Sequence, residues 1–312
     1  MKIACIGNIT FDYNVSKNSF IREDRRNNFK EFTLTPGGPA SNAAYLLANY
    51  GNNVDLYGEI GNVIFGEYVY KQMQKENINL NHVSINDEKT TPFSFIINNE
   101  MYNTRTICTV RDPKDYNEAQ IKNINYEKKY DYILTDGKYY EESIRLMENN
   151  PSATSIIDAG RVTRETLMLC NFADIIICSE DFANEVVERN ISNNEEENRE
   201  IYKDLKSYFP FAEKIVITIG AKGYICEKDG EVVTMSAYKS GIKAIDTTGA
   251  GDIFHGAFTH AMANNYSFQE SLEFANITAS LSTTKRGGRY SITELSRVEE
   301  LMKEKTKILR KE

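Results

Sequence analysis

Several absences narrow what this chain can be. Its 312 residues carry 45 acidic against 37 basic side chains, a net charge of −8. That leaves no basic face for a phosphodiester backbone, so no nucleic-acid partner is expected. No apolar run approaches the roughly 20 residues of a membrane span, so no membrane partner is expected either. MKIACIGNIT at the N-terminus reads as a strand with no cleavable apolar segment behind it, and the expected location is cytoplasmic. The five cysteines, Cys5, Cys108, Cys170, Cys178 and Cys226, form no CxxC pair. His82, His255 and His260 lack partners at metal-ligand spacing, so neither a disulfide frame nor a zinc site is expected. Cys5 and Cys178 lie in apolar runs as small hydrophobes, and His255 is expected on a helix surface. No GxxxxGK[ST] occurs, which excludes a P-loop NTPase, and no GxGxxG follows the first strand, which argues against a dinucleotide site.

What is present is an ordinary globular composition, 41 % hydrophobic and 26 % charged, over a length usual for one large α/β domain with an appendage. Short runs rich in Ile, Val and Tyr recur: KIACIG (2–7), VDLYGEIG (54–61), YDYILTDG (130–137), TSIIDAG (154–160), ADIIICS (173–179) and KIVITIG (214–220). They do not alternate cleanly, the signature of strands buried on both faces. Helical stretches separate most of them, at 40–50, 65–76 and 139–150, so a mostly parallel sheet between helix layers is expected. Ligands then belong at the carboxyl ends of its strands. Residues 12–36 and 91–111 break the rhythm. The second segment reads as a hairpin turning at Asn98–Glu100, and together they predict a small β lid or dimer contact on a single domain spanning 1–312. Its unpaired edges make a homodimer through the lid an expectation. The acidic, Asn-rich stretch at 190–200 reads as a loop entering a helix, and the C-terminus as a surface helix.

The densest signal is DTTGAGDIFHGAF, from Asp246 to Phe258. Gly249, Ala250 and Gly251 can bring backbone N–H groups close to a ligand. The helix that follows adds its positive end, and Phe254, Phe258 and Ala261 pack it down. Such a loop suits a phosphoryl group in transfer. Asp252 beside it can take a proton from an attacking hydroxyl. On these residues alone Asp252 can equally be a first-turn carboxylate that stabilises the helix dipole.

DTTGAGDIFHGAFTHAM, together with GGPASNAAYLLANYGNNVDLYGEIG at 37–61, resembles the two motifs of the ribokinase-like PfkB carbohydrate kinases, in the expected order. The resemblance spans essentially the whole chain. It implies a three-layer αβα sandwich with a mostly parallel sheet and a β lid, and an ATP-dependent, Mg²⁺-requiring transfer to a sugar hydroxyl. It implies Asp252 as catalytic base and Gly249, Ala250 and Gly251 as the anion hole. Asp12, Gly37, Gly38 and Asn42 would bind the sugar, a carboxylate being able to accept from two vicinal hydroxyls; Asn42 can alternatively cap helix 40–50. Thr218, Gly220 and Gly223 of TIGAKG would line the nucleotide, and a tight turn is compatible with that role. Asn276 would lie near the adenine, its amide in need of a partner. Asp246, Thr248, Gly287 and Ser291 match positions that in many relatives hold K⁺. Lys285 and Arg286 stand either near the nucleotide or in a solvated loop.

The chain departs from the family in two places. GNVIFG carries Asn62 where the family has Asp. The NxxE element reads SEDF, with Ser179 for Asn and Phe182 for Glu, which leaves Glu180 or Asp181 to serve Mg²⁺ through water. IIDAGRV and SEDFA resemble the ketohexokinase-like branch and point toward a ketose. Two alternatives stand beside a sugar kinase. A nucleoside or sugar-phosphate kinase is one, the phosphate variant needing a basic pocket from Arg105, Arg111 and Arg161. A non-catalytic sugar or nucleotide sensor is the other.

Overall fold

The computed structural model describes residues 1–102, 104–110, 121–122 and 124–309; Arg111 lies outside them. In chain order the elements are β1 (Lys2–Ile6), β2 (Thr10–Lys17), β3 (Phe32–Gly37), α1 (Pro39–Asn49), β4 (Asn53–Gly61), α2 (Ile64–Met73), β5 (Ile78–Asn86), β6 (Phe93–Asn99) and β7 (Thr104–Val110). There follow β8 (Tyr132–Thr135), α3 (Tyr140–Glu148), β9 (Thr154–Ala159), α4 (Arg164–Cys170), β10 (Ile175–Ser179), α5 (Glu180–Val187), α6 (Glu195–Tyr208), β11 (Lys214–Thr218), β12 (Tyr224–Lys228) and β13 (Glu231–Met235). The chain ends with α7 (Ala250–Ala263), α8 (Phe268–Ser282) and α9 (Leu295–Leu309). Among the described residues no helix is long and apolar enough to cross a membrane.

Nine strands form one sheet in the order β13-β12-β11-β10-β9-β8-β1-β4-β5. Every neighbouring pair from β5 to β11 is parallel, while β12 and β13 turn back antiparallel. The unbroken apolar runs follow from this arrangement, because successive side chains leave on opposite faces and both faces are covered. In β10, Ile175 and Ile177 enter the core shared with α1, α7 and α8, while Ile176 and Cys178 enter the core built with α4, α5 and α6. In β1, Ile3 and Cys5 face the first core, and Ala4 and Ile6 face Tyr57, Ile133 and Leu146 of α3. The result is a three-layer αβα sandwich.

Three strands escaped the sequence reading. In β5, at the sheet edge, only alternate stretches are buried, so INLNHVSIN never forms an apolar run. The β12–β13 hairpin has a legible cue in Asp229-Gly230, both with positive φ, 51° and 81°, the signature of a tight two-residue hairpin turn. The remaining strands make a second sheet, β3-β2-β6-β7. There β6 continues through Asn98 and Asn99, so the turn begins at Glu100, two residues later than expected.

Candidate active site

The site gathers where β1, β8, β9 and β10 end, between the N-termini of α1 and α7 and one face of the small sheet. Gly249 caps α7 in the left-handed region at φ 72°, and the helix begins at Ala250, so Asp252 lies in its first turn. A Cβ placed on Gly251 would meet nothing within 4 Å, so the backbone there opens onto free space. Asp252 Oδ2 accepts a 2.6 Å hydrogen bond from Asn42 Nδ2. Asn42 therefore does not cap α1, whose N-cap is Gly38. Its other amide atom, Oδ1, is buried with no partner. Burial holds the Asp252 carboxyl above its ordinary range, against the Asn42 donor and the nearby His255.

Asp12 faces the same space from β2. It is buried and accepts from Thr10 Oγ1 at 2.9 Å. Burial pushes its pKa up to about 6; the Thr10 bond works against this and the Asp252 charge adds to it. The two glycines beside it are there for room. A Cβ on Gly37 would lie 2.1 Å from an Asp12 carboxylate oxygen, and one on Gly38, at φ 95°, would lie 2.2 Å from the Asn8 carbonyl oxygen. Bond by bond, this geometry can hold an anion at the α7 N-terminus and a hydroxyl between two carboxylates and an amide oxygen.

Three polar residues near this space escaped the sequence reading, and a fourth, His255, was expected elsewhere. Asp136, just past β8, accepts from Asn8 N and Nδ2, Ala40 N and Lys138 N, at 2.7, 3.2, 3.4 and 3.1 Å. It pins the loop after β1 to the start of α1. Asp158, in β9, is pushed up to about 7 by burial, with His255 opposing the rise and Asp252 and Asp136 adding to it. His255 is not on a helix surface but 4 % exposed. Its Nδ1 lies 2.7 Å from Gly251 O and 3.4 Å from Asp158 Oδ2, and its Nε2 lies 3.2 Å from Ile177 O. Arg289 is fully buried, bonded to Ser41 Oγ and O and to Glu76, over the Tyr45 ring. A visible cue for the first two was an aspartate closing each of YDYILTDG and TSIIDAG, at the ligand end of a parallel strand.

Comparison with known proteins bears directly on this geometry. The pfkB family carbohydrate kinase profile matches residues 1–295. The chain belongs to this family. The ribokinase of Lactococcus lactis is 25 % identical over 318 residues, covering 97 % of each chain. Arabidopsis thaliana ribokinase, solved with ribose and ATP, superposes with a TM-score of 0.76 at 20 % identity, over 97 % of this chain and 98 % of that one. The nucleoside kinase of Methanocaldococcus jannaschii gives 0.77 at 18 % identity, over 97 % and 98 %. Those structures establish the ribokinase-like fold, and the family an ATP-dependent sugar kinase.

Elsewhere in the kinase, the other expected residues make the following contacts within the protein. Thr218 ends β11 and donates to Cys178 O at 3.1 Å. Gly220 opens a single 3₁₀ turn, and Gly223 closes it against Met235. Asn276 does not wait for a ligand: its amide donates to Ser236 O and accepts from Tyr238 N, each at 3.0 Å, clamping that loop to α8. Asp246 accepts from Thr248 N at 2.9 Å and from Gly287 N at 3.1 Å, tying together the loops on either side of the glycine cap. Ser291 Oγ donates to Gly288 O at 2.7 Å.

The departures from the family pattern are also explained locally. Ser179 caps α5, accepting from Phe182 N, and Phe182 is a core residue stacked on Phe209. Glu180 stands in the first turn of that helix, half-buried. Asn62 bonds Asp87 at 2.5 Å. Lys285 donates to Ile292 O, and Arg286 pairs with Glu31 and Glu100, so both cations are committed to protein partners. Arg105 reaches across to Thr247 Oγ1 at 2.6 Å, and Arg161 is exposed.

Proposed function

We propose that this kinase transfers the γ-phosphoryl of ATP to a primary hydroxyl of a free sugar, a pentose or a ketose, with Asp252 as general base. The observation carrying this reading is the Asp252 carboxylate beside the glycine cap of α7, held by Asn42 and faced by Asp12. The ribokinase name of the relatives supports a pentose; the IIDAGRV and SEDFA stretches support a ketose. Of the arginines a phosphorylated sugar would need, Arg105 is engaged with Thr247, Arg161 stands exposed and Arg111 lies outside the described residues.

In this mechanism Asp12 and Asn42 Oδ1 orient the sugar, with Gly37 and Gly38 giving it room. The O–H bond breaks as its oxygen attacks the γ-phosphorus in line. The proton goes to Asp252, the bond to the β-phosphate oxygen breaks, and ADP leaves. Gly249, Ala250 and Gly251 neutralise the charge that builds on the transferred group. Thr218, Gly220 and Gly223 would border the nucleotide, and Asn276 would position the loop beside it. Mg²⁺ enters with ATP, and Glu180 is the residue proposed to reach it through water. A monovalent cation, K⁺ by preference, would sit among Asp246, Thr248, Gly287 and Ser291. The donor set fits it, since each Asp246 oxygen accepts one N–H and keeps a lone pair. The small sheet acts as a lid, and two copies of the chain pair through it.

The test is ADP release over ribose, fructose, nucleosides and fructose phosphates, with and without K⁺. Asp252→Asn is expected to lower kcat by about 10²–10⁴ while keeping ATP affinity and melting temperature. Because the Asp252 carboxyl is held high, wild-type turnover should fall on acidification while the pH is still above the ordinary carboxylate range. Near-wild-type turnover in Asp252→Asn would overturn the reading.

A further inference from the structure

The lid's inner face holds a polar group that the mechanism leaves unused. Asn14 is 5 % exposed, and both its Nδ2 and its Oδ1 lack a partner. Six buried side-chain atoms are in this position among the described residues, and three belong to Asn14 and Asn42. An unsatisfied buried amide is costly, so one with neither atom partnered, as in Asn14, calls for a cause. Asn14 follows Asp12 by two residues in β2, so both point from the same face.

The register says where that face looks. Asp12 pairs with Thr35 and Ser94, Asn14 with Thr33 and Ile96, and Ser16 with Asn98. Asn98 in turn meets Thr248 Oγ1 at 3.5 Å, and its partner Arg105 holds Thr247. Asn14 therefore sits midway between the row that faces Asp252 and the row that closes on the loop before the glycine cap. Its Cα lies about 7 Å from that of Asp12 along the strand, a distance within the span of one sugar ring and its substituents.

We propose that Asn14 is a specificity-determining residue, whose amide donates to and accepts from a pair of hydroxyls of the sugar, distinct from the hydroxyl that is phosphorylated. The amide offers one acceptor and two donors, which matches a vicinal diol. Asp12 and Asn42 fix one side of the sugar, and Asn14 reads the hydroxyl pattern of the other. This rests on the sugar-kinase reading above.

The experiment compares wild type, Asn14→Leu and Asn14→Asp on ribose, fructose and the monodeoxy analogues of each. Leucine has the same branched skeleton and no polar atoms, although it is bulkier, so a merely awkward amide would be relieved by it with kinetics unchanged. The ligand role predicts instead that Asn14→Leu raises the KM of the preferred sugar roughly tenfold to a hundredfold, leaves kcat within about threefold, and leaves the KM for ATP alone. It also predicts that one monodeoxy analogue, poor for wild type, becomes equal to the parent sugar in Asn14→Leu. Asn14→Asp keeps an acceptor and loses the donors, so it should fall between, and it decides the matter if Asn14→Leu does not fold. An unchanged KM and unchanged discrimination in the folded variants would overturn the proposal while sparing the kinase reading. Failure of wild type to phosphorylate any of these sugars would overturn both.

Discussion

A carboxyl group buried among other carboxyls is driven toward its neutral form unless a cation is close, and in this kinase Asp158 is the clearest case. Burial raises its pKa to about 7, with Asp252 and Asp136 on the same side of the balance and His255 against them. The sign of the consequence is fixed. A carboxyl raised on folding contributes stability below its unfolded pKa, and that contribution is lost as the pH climbs through the folded value. Asp158→Asn, which stays neutral, should therefore melt higher than wild type at pH 8, and the gap should narrow on acidification from about 7 toward pH 5, closing only near the ordinary aspartate pKa of about 4. Parallel melting curves for the two proteins across that interval would show that Asp158 carries no such penalty. At this scale the sequence was informative about residue type and weak about partners. Asp252, Asp12 and Asn42 stand together as their motifs suggested. His255 is buried instead of on a helix surface and the Asn276 amide already has protein partners, because what an imidazole or amide touches depends on elements far away in the chain: Asp158 and Ile177 for the one, the 236–238 loop for the other.

Among the elements, β2 has two obligations on opposite faces. Asp12 and Asn14 share one face, while on the other Phe11 packs against Phe65, Tyr68 and Phe93, with ring centroids 4.7, 5.5 and 6.2 Å away. Phe11 is 4 % exposed, so this aromatic cluster is what seats the strand on α2. Phe11→Ala should cost about 3 kcal/mol, the lower end for a buried phenylalanine. Because the strand also carries Asp12, the sugar KM should rise while the KM for ATP stays within about twofold. Calorimetry and steady-state kinetics check this together, and equal rises in both KM values would place the effect on the whole fold instead of on the lid. The central strands were legible because burial on both faces makes them continuous apolar runs. Edge elements were not: β5 and β13 face solvent on part of their length, and a half-buried strand of mixed polarity looks like a loop until its neighbour is known.

At the scale of the molecule, the small sheet ends in two strands, β3 and β7, with no further strand beside them among the described residues. Such edges invite another copy unless they are charged or covered. Here they carry exposed apolar side chains instead: Phe32 at 61 % and Val110 at 62 %, with Met101 and Tyr102 at 59 % and 54 % in the turn beyond. A patch of this kind, on a sheet whose other face carries the proposed sugar residues, favours a twofold pair in which each lid is steadied by the other. Sedimentation equilibrium at micromolar concentration should then show a dimer. The double variant Phe32→Lys and Val110→Lys should move it to monomer, with the sugar KM rising at least about threefold as Asp12 and Asn14 lose their support. On the reading proposed above, with the nucleotide on loops of the large sheet, the ATP KM should not follow. Wild-type protein that sediments as a monomer at every concentration would remove the dimer and leave the lid to close by its own contacts, Arg105 on Thr247 and Arg286 on Glu31 and Glu100. Those are largely exposed pairs of small individual worth, so in that case sugar affinity should weaken visibly with salt, a dependence the dimer would suppress.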